Sequence, residues 1–345
     1  MSRSMILANA SVFDRLADYC ADRRVEISEP RGARWIHANP IADETLKRLE
    51  VGEKMSFGRH RHLARLVDKE DEYIGLVGFS FEPDDRRYVE LDDIQGFDVC
   101  LLSEIAVHPT ASAVQVRNVV EAGLQGEPGY EGHDNEAVMG LFPSIHILQR
   151  TDSSDRAAVW PLFFALCVDE SLASGSWIDT TLADSLHSLA ELQVPSLPYQ
   201  DLCRAVLDLD PRSLYMSLYR CIEATYAYET ATSLGRSLAV TLPWYEVAAR
   251  LDSDMGWRPP ELQSLNSALA HATDGDLEEI CACLDADVGV DLRASAGRAI
   301  YRLRNRIVHY RPTTEPLQLE TIDWNRACNL LVTISVDVFW NAYGA

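Results

Sequence analysis

The period of the apolar positions changes near residue 150. Before that point short segments of both periods alternate. Residues 5–22 carry Leu7, Val12, Leu16 and Tyr19 at helical spacing, and 41–50 read as a second short helix. Residues 33–37 read as a brief strand. The run from Glu72 to Phe81 is rich in β-branched and aromatic residues and meets Pro83-Asp84-Asp85, a turn signal. Residues 86–91 and 97–107 extend the strand pattern, and 111–124 are predicted as a helix. Residues 125–135 form a Gly-rich polar loop, and 138–148 return to strand. The pattern predicts a mixed α/β domain over residues 1–150.

After residue 154 the period becomes helical. Helices are predicted over 155–172, 177–192 and 199–207, with a break at Val194-Pro195-Ser196-Leu197-Pro198. This stretch, 151–204, reads as a helical connector. From residue 205 to 345 the chain reads as an all-α bundle. A long helix over 213–234 turns Leu214, Leu218, Cys221, Ile222 and Thr225 inward. Shorter helices follow at 243–251, 260–272 and 276–284. A long helix spans 291–310, and a closing helix over 324–343 buries Ala327, Leu331, Ile334 and Val338, with Asp323 as its cap. The fold class is therefore α+β: a mixed N-terminal domain, then helices, then a helical bundle.

Charge narrows the partners. The 345 residues carry 53 acidic and 31 basic side chains, net −22, unlike a general nucleic-acid binder. From residue 205 onward there are 12 basic and 19 acidic residues, net −7; the remainder, 19 basic and 34 acidic, is net −15. RNA would have to be met by a local basic patch. The eight cysteines show no paired CxxC spacing and read as small buried thiols in a reducing compartment. His60 and His62 form an H-x-H pair within a basic island, 57–65, but with no evident acidic or cysteine partner they read as an unoccupied pair. No P-loop, G-x-S-x-G or H-E-x-x-H motif occurs. No metal or cofactor is expected. With no leader pattern and no apolar run of membrane length, the expectation is a cytoplasmic protein without membrane contact.

Five of the twelve basic residues of the C-terminal part fall between 298 and 311. Leu303 and Ile307, with Ala299 and Ile300, define the buried side of the helix there, and Pro312 is expected to stop it. Arg298, Arg302, Asn305 and His309 form one stripe. Arg304 lies about 140° round from His309, at 100° per residue, and is expected to point away from the core. Arg304-Asn305-Arg306-Ile307-Val308-His309 resembles the R-x4-6-H motif of the HEPN superfamily, with Asn directly after Arg. The resemblance covers roughly residues 205–345 and does not extend to the first 200.

The resemblance implies a metal-independent endoribonuclease of phage-defence or toxin–antitoxin type, or a non-catalytic member acting as an interaction or dimerisation module. In the active case His309 exchanges protons, Arg304 holds the phosphate, and Asn305 orients His309 or binds phosphate. The products would be a 2′,3′-cyclic phosphate and a 5′-hydroxyl. A single motif per chain implies a homodimer with a composite site. Glu223 reads either as an acidic partner of Arg304 or Arg302, or as a solvent-facing glutamate. Tyr310 reads as a base-stacking residue or a packed helix-end tyrosine. Arg302, Arg306 and Arg311 read as auxiliary phosphate contacts or plain surface arginines. The N-terminal part is expected to sense a trigger, to answer to a regulatory partner protein, or to cover the arginine cluster with its acidic surface.

Overall fold

A computed structural model describes residues 5–29, 33–80, 88–92, 94–123, 128–150, 158–309 and 321–344. The chain divides into two compact units, Met1–Val159 and Trp160–Ala345. The fold is α+β, with an antiparallel sheet in the first unit and helices throughout the second.

The first unit holds helices α1 (Met5–Ala21), α2 (Pro40–Arg48), α3 (Phe97–Glu104), α4 (Ala113–Val120) and α5 (Asn135–Met139). Its strands are β1 (Glu50–Phe57), β2 (Arg61–Asp68), β3 (Asp71–Val77), β4 (Tyr88–Glu90) and β5 (Ile145–Arg150). The sheet runs in the order β1-β2-β3-β5-β4 with every pair antiparallel. Val12, Leu16 and Cys20 of α1 enter one core with Leu66 of β2, Ile147 of β5 and the apolar side chains of α3. Asn39 caps α2 and Ser112 caps α4, the latter through a reciprocal capping box with Gln115.

Three expectations change here. Residues 97–107 begin as helix α3, not strand. Phe97 to Leu102, the hydrogen-bonded Asp98 included, are all buried, so the segment has no polar face and its periodicity carries no signal. Residues 138–148 are divided between the end of α5 and the start of β5. Residues 33–37 reduce to a single parallel bridge between Ile36 and His133.

The second unit holds α6 (Val159–Ala173, whose first residue belongs to the first unit), α7 (Thr180–Glu191), α8 (Tyr199–Val206), α9 (Pro211–Glu223), α10 (Tyr228–Ser237), α11 (Trp244–Met255), α12 (Glu261–Ala268, continued by one 3-10 turn), α13 (Asp274–Cys283), α14 (Leu292–Val308) and α15 (Trp324–Tyr343). Helix α15 is the central element: Ala327, Leu331, Ile334 and Val338 are buried, Asp323 caps it as expected, and it packs on α7, α9 and α13. Because α7 packs on α15 and α8 on α9, the helices expected to form a connector belong to this unit.

The single helix expected over 213–234 is broken into α9 and α10 at residues 224–227. Thr225 turns its hydroxyl back onto the Ile222 carbonyl at 2.8 Å, and the Tyr226 and Tyr228 amides bond three residues back. These short-range bonds replace the α-helical ladder. Leu214, Leu218, Cys221, Ile222 and Thr225 are nevertheless buried as expected. Among the described residues no helix is long and apolar enough to cross a membrane.

Candidate functional site

Helix α14 begins at its cap Asp291, whose side chain accepts from the Ala294 amide, and buries Ala299, Ile300 and Leu303. Ile307 is only half-buried. It reaches a groove of about 470 Å³ between α8, α9 and α14, where Arg204, Arg212 and Arg220 alternate with Asp201, Asp208 and Asp210. Arg212 and Arg220 are ion-paired there to Asp210 and Asp201, so the groove is not a free anion channel.

The helix ends at Val308. His309 takes an extended backbone (φ −107°, ψ 102°), but its amide still donates to the Asn305 carbonyl at 2.9 Å. His309 thus stands one turn beyond Asn305, with its side chain exposed and without a hydrogen bond among the described residues. Tyr310 and Arg311, together with Pro312, lie outside the described residues. Arg302 and Arg306 are exposed and make no ion pair among the described residues.

Arg304 departs from the expectation. Its side chain is 21% exposed and turns inward, towards α9 and α12. Nη1 donates to Asn305 Oδ1 at 3.0 Å. Nη2 lies 3.3 Å from Glu261 Oε1 and 3.9 Å from Glu223 Oε1. The guanidinium carbon sits 5.7 Å from the centre of the Tyr219 ring, within cation–π range. Arg304 Nε is buried with no hydrogen-bond partner. Electrostatics favours the inward turn: two half-buried carboxylates, 32% and 34% exposed, have lost part of their hydration and gain from a nearby cation. Glu223 therefore adopts the acid-partner reading, with Arg304 and not Arg302.

Glu261 is the residue that sequence reasoning missed. It is the first residue of α12, after Pro259-Pro260, and its carboxylate collects two hydrogen bonds and an ion pair. The Tyr219 hydroxyl donates to Oε1 at 3.2 Å, the Tyr301 hydroxyl to Oε2 at 3.2 Å, and Arg304 approaches Oε1. Behind it the Tyr226 hydroxyl donates to that of Tyr219 at 3.0 Å. Burial pushes the Tyr219 and Tyr226 phenols well up, so both remain protonated donors. Burial also raises the Glu223 carboxyl; Arg304 opposes that shift and Glu261 adds to it.

The histidines of the first unit differ. His62 is buried, with Nε2 at 3.2 Å from the Arg59 carbonyl and Nδ1 at 2.8 Å from Ser56 Oγ. His133 is buried too, with Nε2 at 3.0 Å from the Val120 carbonyl and Nδ1 at 2.6 Å from the Tyr130 hydroxyl. Nε2 faces a carbonyl in both, which assigns the proton to Nε2 and leaves Nδ1 as acceptor. Burial lowers both from the usual imidazole range. His60 bonds the His108 carbonyl at 3.2 Å, so the H-x-H pair is occupied by protein. Seven of the eight cysteines are buried free thiols, and Cys283 is partly exposed. No group of three or more His, Cys, Asp or Glu able to hold a metal ion occurs among the described residues.

No protein-family model, curated protein or solved structure matches this chain.

Proposed function

We propose that the second unit is a metal-independent endoribonuclease of HEPN type, with Arg304, Asn305 and His309 as its reacting set. One observation carries the reading: the motif arginine is tied to Asn305 at 3.0 Å, and the helical ladder from Asn305 sets His309 one turn further, exposed at the helix end. This joins a guanidinium to an imidazole, a side chain that can serve as a general acid or base. Arg304 stabilises charge on the phosphorane, and His309 hands a proton to the leaving 5′-oxygen. The 2′-hydroxyl attacks phosphorus and releases its proton to solvent water, which leaves one product with a 2′,3′-cyclic phosphate and the other with a 5′-hydroxyl protonated by His309. The bond made is 2′-O–P and the bond broken is P–O5′. The composite site requires a second copy of the chain. The first unit acts as its sensor.

A second reading has its own support. Two carboxylates already neutralise Arg304, as they would an arginine that only holds α9, α12 and α14 together. In that reading the unit is a non-catalytic interaction or dimerisation module. An assay of RNA cleavage in EDTA, with wild type and His309→Ala, separates the two. The nuclease reading expects cyclic-phosphate ends from wild type and their loss in the variant. Equal cleavage by both proteins would remove His309, and no cleavage by wild type leaves the structural reading.

A further inference from the structure

We infer that Glu261 is a positioning residue of this site, fixing the direction of the Arg304 guanidinium; the inference rests on the ribonuclease reading. A guanidinium serves a phosphate only when its fork is aimed, because its donors lie in one rigid plane. Arg304 is aimed by unequal partners. Glu223 stands 3.9 Å away, beyond hydrogen-bond range, and burial raises its carboxyl, so its hold is loose. Glu261 stands closer, at 3.3 Å, and is itself pinned by two phenols from different helices, Tyr219 of α9 and Tyr301 of α14.

Tyr226 sets the sense of this arrangement. It donates to the Tyr219 oxygen, which directs the single Tyr219 proton towards Glu261. Two phenol hydrogen bonds and one ion pair therefore converge on one carboxylate, and none of these contacts depends on a long exposed side chain. At the first position of α12, Glu261 also meets the positive end of that helix. The other edge of the arginine fork is held by Asn305. The guanidinium is thus hydrogen-bonded at Nη1 and ion-paired at Nη2, while its buried Nε has no hydrogen-bond partner. Removing the Glu261 charge leaves only Asn305 and the distant Glu223, and the fork swings.

The test is steady-state cleavage by Glu261→Gln, which keeps the shape of the side chain, beside wild type and Tyr301→Phe. A group that aims a transition-state contact lowers kcat and leaves KM alone. The expectation for Glu261→Gln is a kcat loss of about tenfold to a hundredfold, with KM within about twofold and no matching fall in folded fraction at the assay temperature. Tyr301→Phe loses about threefold to tenfold in kcat, as one hydrogen bond to the carboxylate disappears. Wild-type kcat in a folded Glu261→Gln overturns the role of Glu261 while the ribonuclease reading stands. A loss confined to KM, or a kcat loss accounted for by unfolding, also overturns it. Should Glu261→Gln fail to fold, unchanged kcat in Tyr301→Phe overturns it instead. A wild type that cleaves no RNA sinks the ribonuclease reading itself, and the role with it.

Discussion

The two units use the same kinds of polar side chain in opposite ways. In the first, His62 and His133 are buried, each with both ring nitrogens bonded and one tautomer fixed. In the second, His309 is exposed at a helix end and its ring is unbonded among the described residues. The buried rings hold the fold, and burial disfavours their charged forms; the exposed ring is open to solvent and to a ligand. The carboxylates differ in arrangement: Asp68 and Glu72 of the first unit are partly buried beside different arginines, Arg48 and Arg65, whereas Glu223 and Glu261 of the second unit stand around the single Arg304. Candidate chemistry therefore follows the mismatch between side chain and surroundings, and not residue type.

The largest expected effect comes from His309→Ala. RNA cleavage should fall about 10²- to 10⁴-fold, with stability changed by less than about 0.5 kcal/mol, as for a surface substitution. Denaturant unfolding alongside the cleavage assay checks both. A large stability loss would erase the contrast with His62 and His133.

Next comes Arg304→Ala. It should reduce cleavage about 10²- to 10³-fold and also cost about 1–3 kcal/mol of stability, because it strands Glu223 and Glu261 beside one another. Activity lost at unchanged stability would return Arg304 to the outward orientation that the helical wheel suggests.

His133→Ala should reverse the balance. It removes an acceptor from Tyr130 and a donor to Val120, costing about 1–3 kcal/mol, while cleavage at temperatures below unfolding stays at the wild-type level. Amide exchange in the 130–137 segment should quicken first.

The smallest effect is the pH dependence, which has opposite signs in the two units. Burial lowers the folded-state pKa of His62 and His133, so the unfolded chain binds the extra protons. The first unit should lose stability as pH falls from about 6.5, the unfolded histidine value. Burial raises Glu223, so the folded second unit binds the extra proton. Its share of stability is greatest below about pH 4.3 and is lost as pH rises through its folded value. Amide exchange followed unit by unit between pH 7 and 4, corrected for intrinsic rates, reads both slopes. Matching slopes would break the comparison.

The sequence made the frame of the second unit readable because its helices carry one apolar face each. The cap Asp323, the buried set of α15 and the inward residues of α9 were all legible. Where that asymmetry failed, so did the reading. Helix α3 is buried on every side from Phe97 to Leu102, and nothing in its spacing distinguishes helix from strand. At 224–227 the decisive bond is a threonine hydroxyl folding back on its own turn, invisible to periodicity. Arg304, Asn305 and His309 could be read together because they lie close in sequence. Glu261 could not: it lies 43 positions before Arg304, and an acid just after two prolines is sufficiently explained as a helix opener.

The tyrosine chain has one consequence for proton traffic. Each phenol has a single proton, and all three are committed: Tyr226 to Tyr219, and Tyr219 and Tyr301 to Glu261. The chain ends on a carboxylate that only receives. The buried side of Arg304 is a sink, with nothing to pass on. On the ribonuclease reading proposed above, a proton delivered to an oxygen beside Arg304 would have to enter from the solvent side, so the two faces of the arginine are chemically unequal.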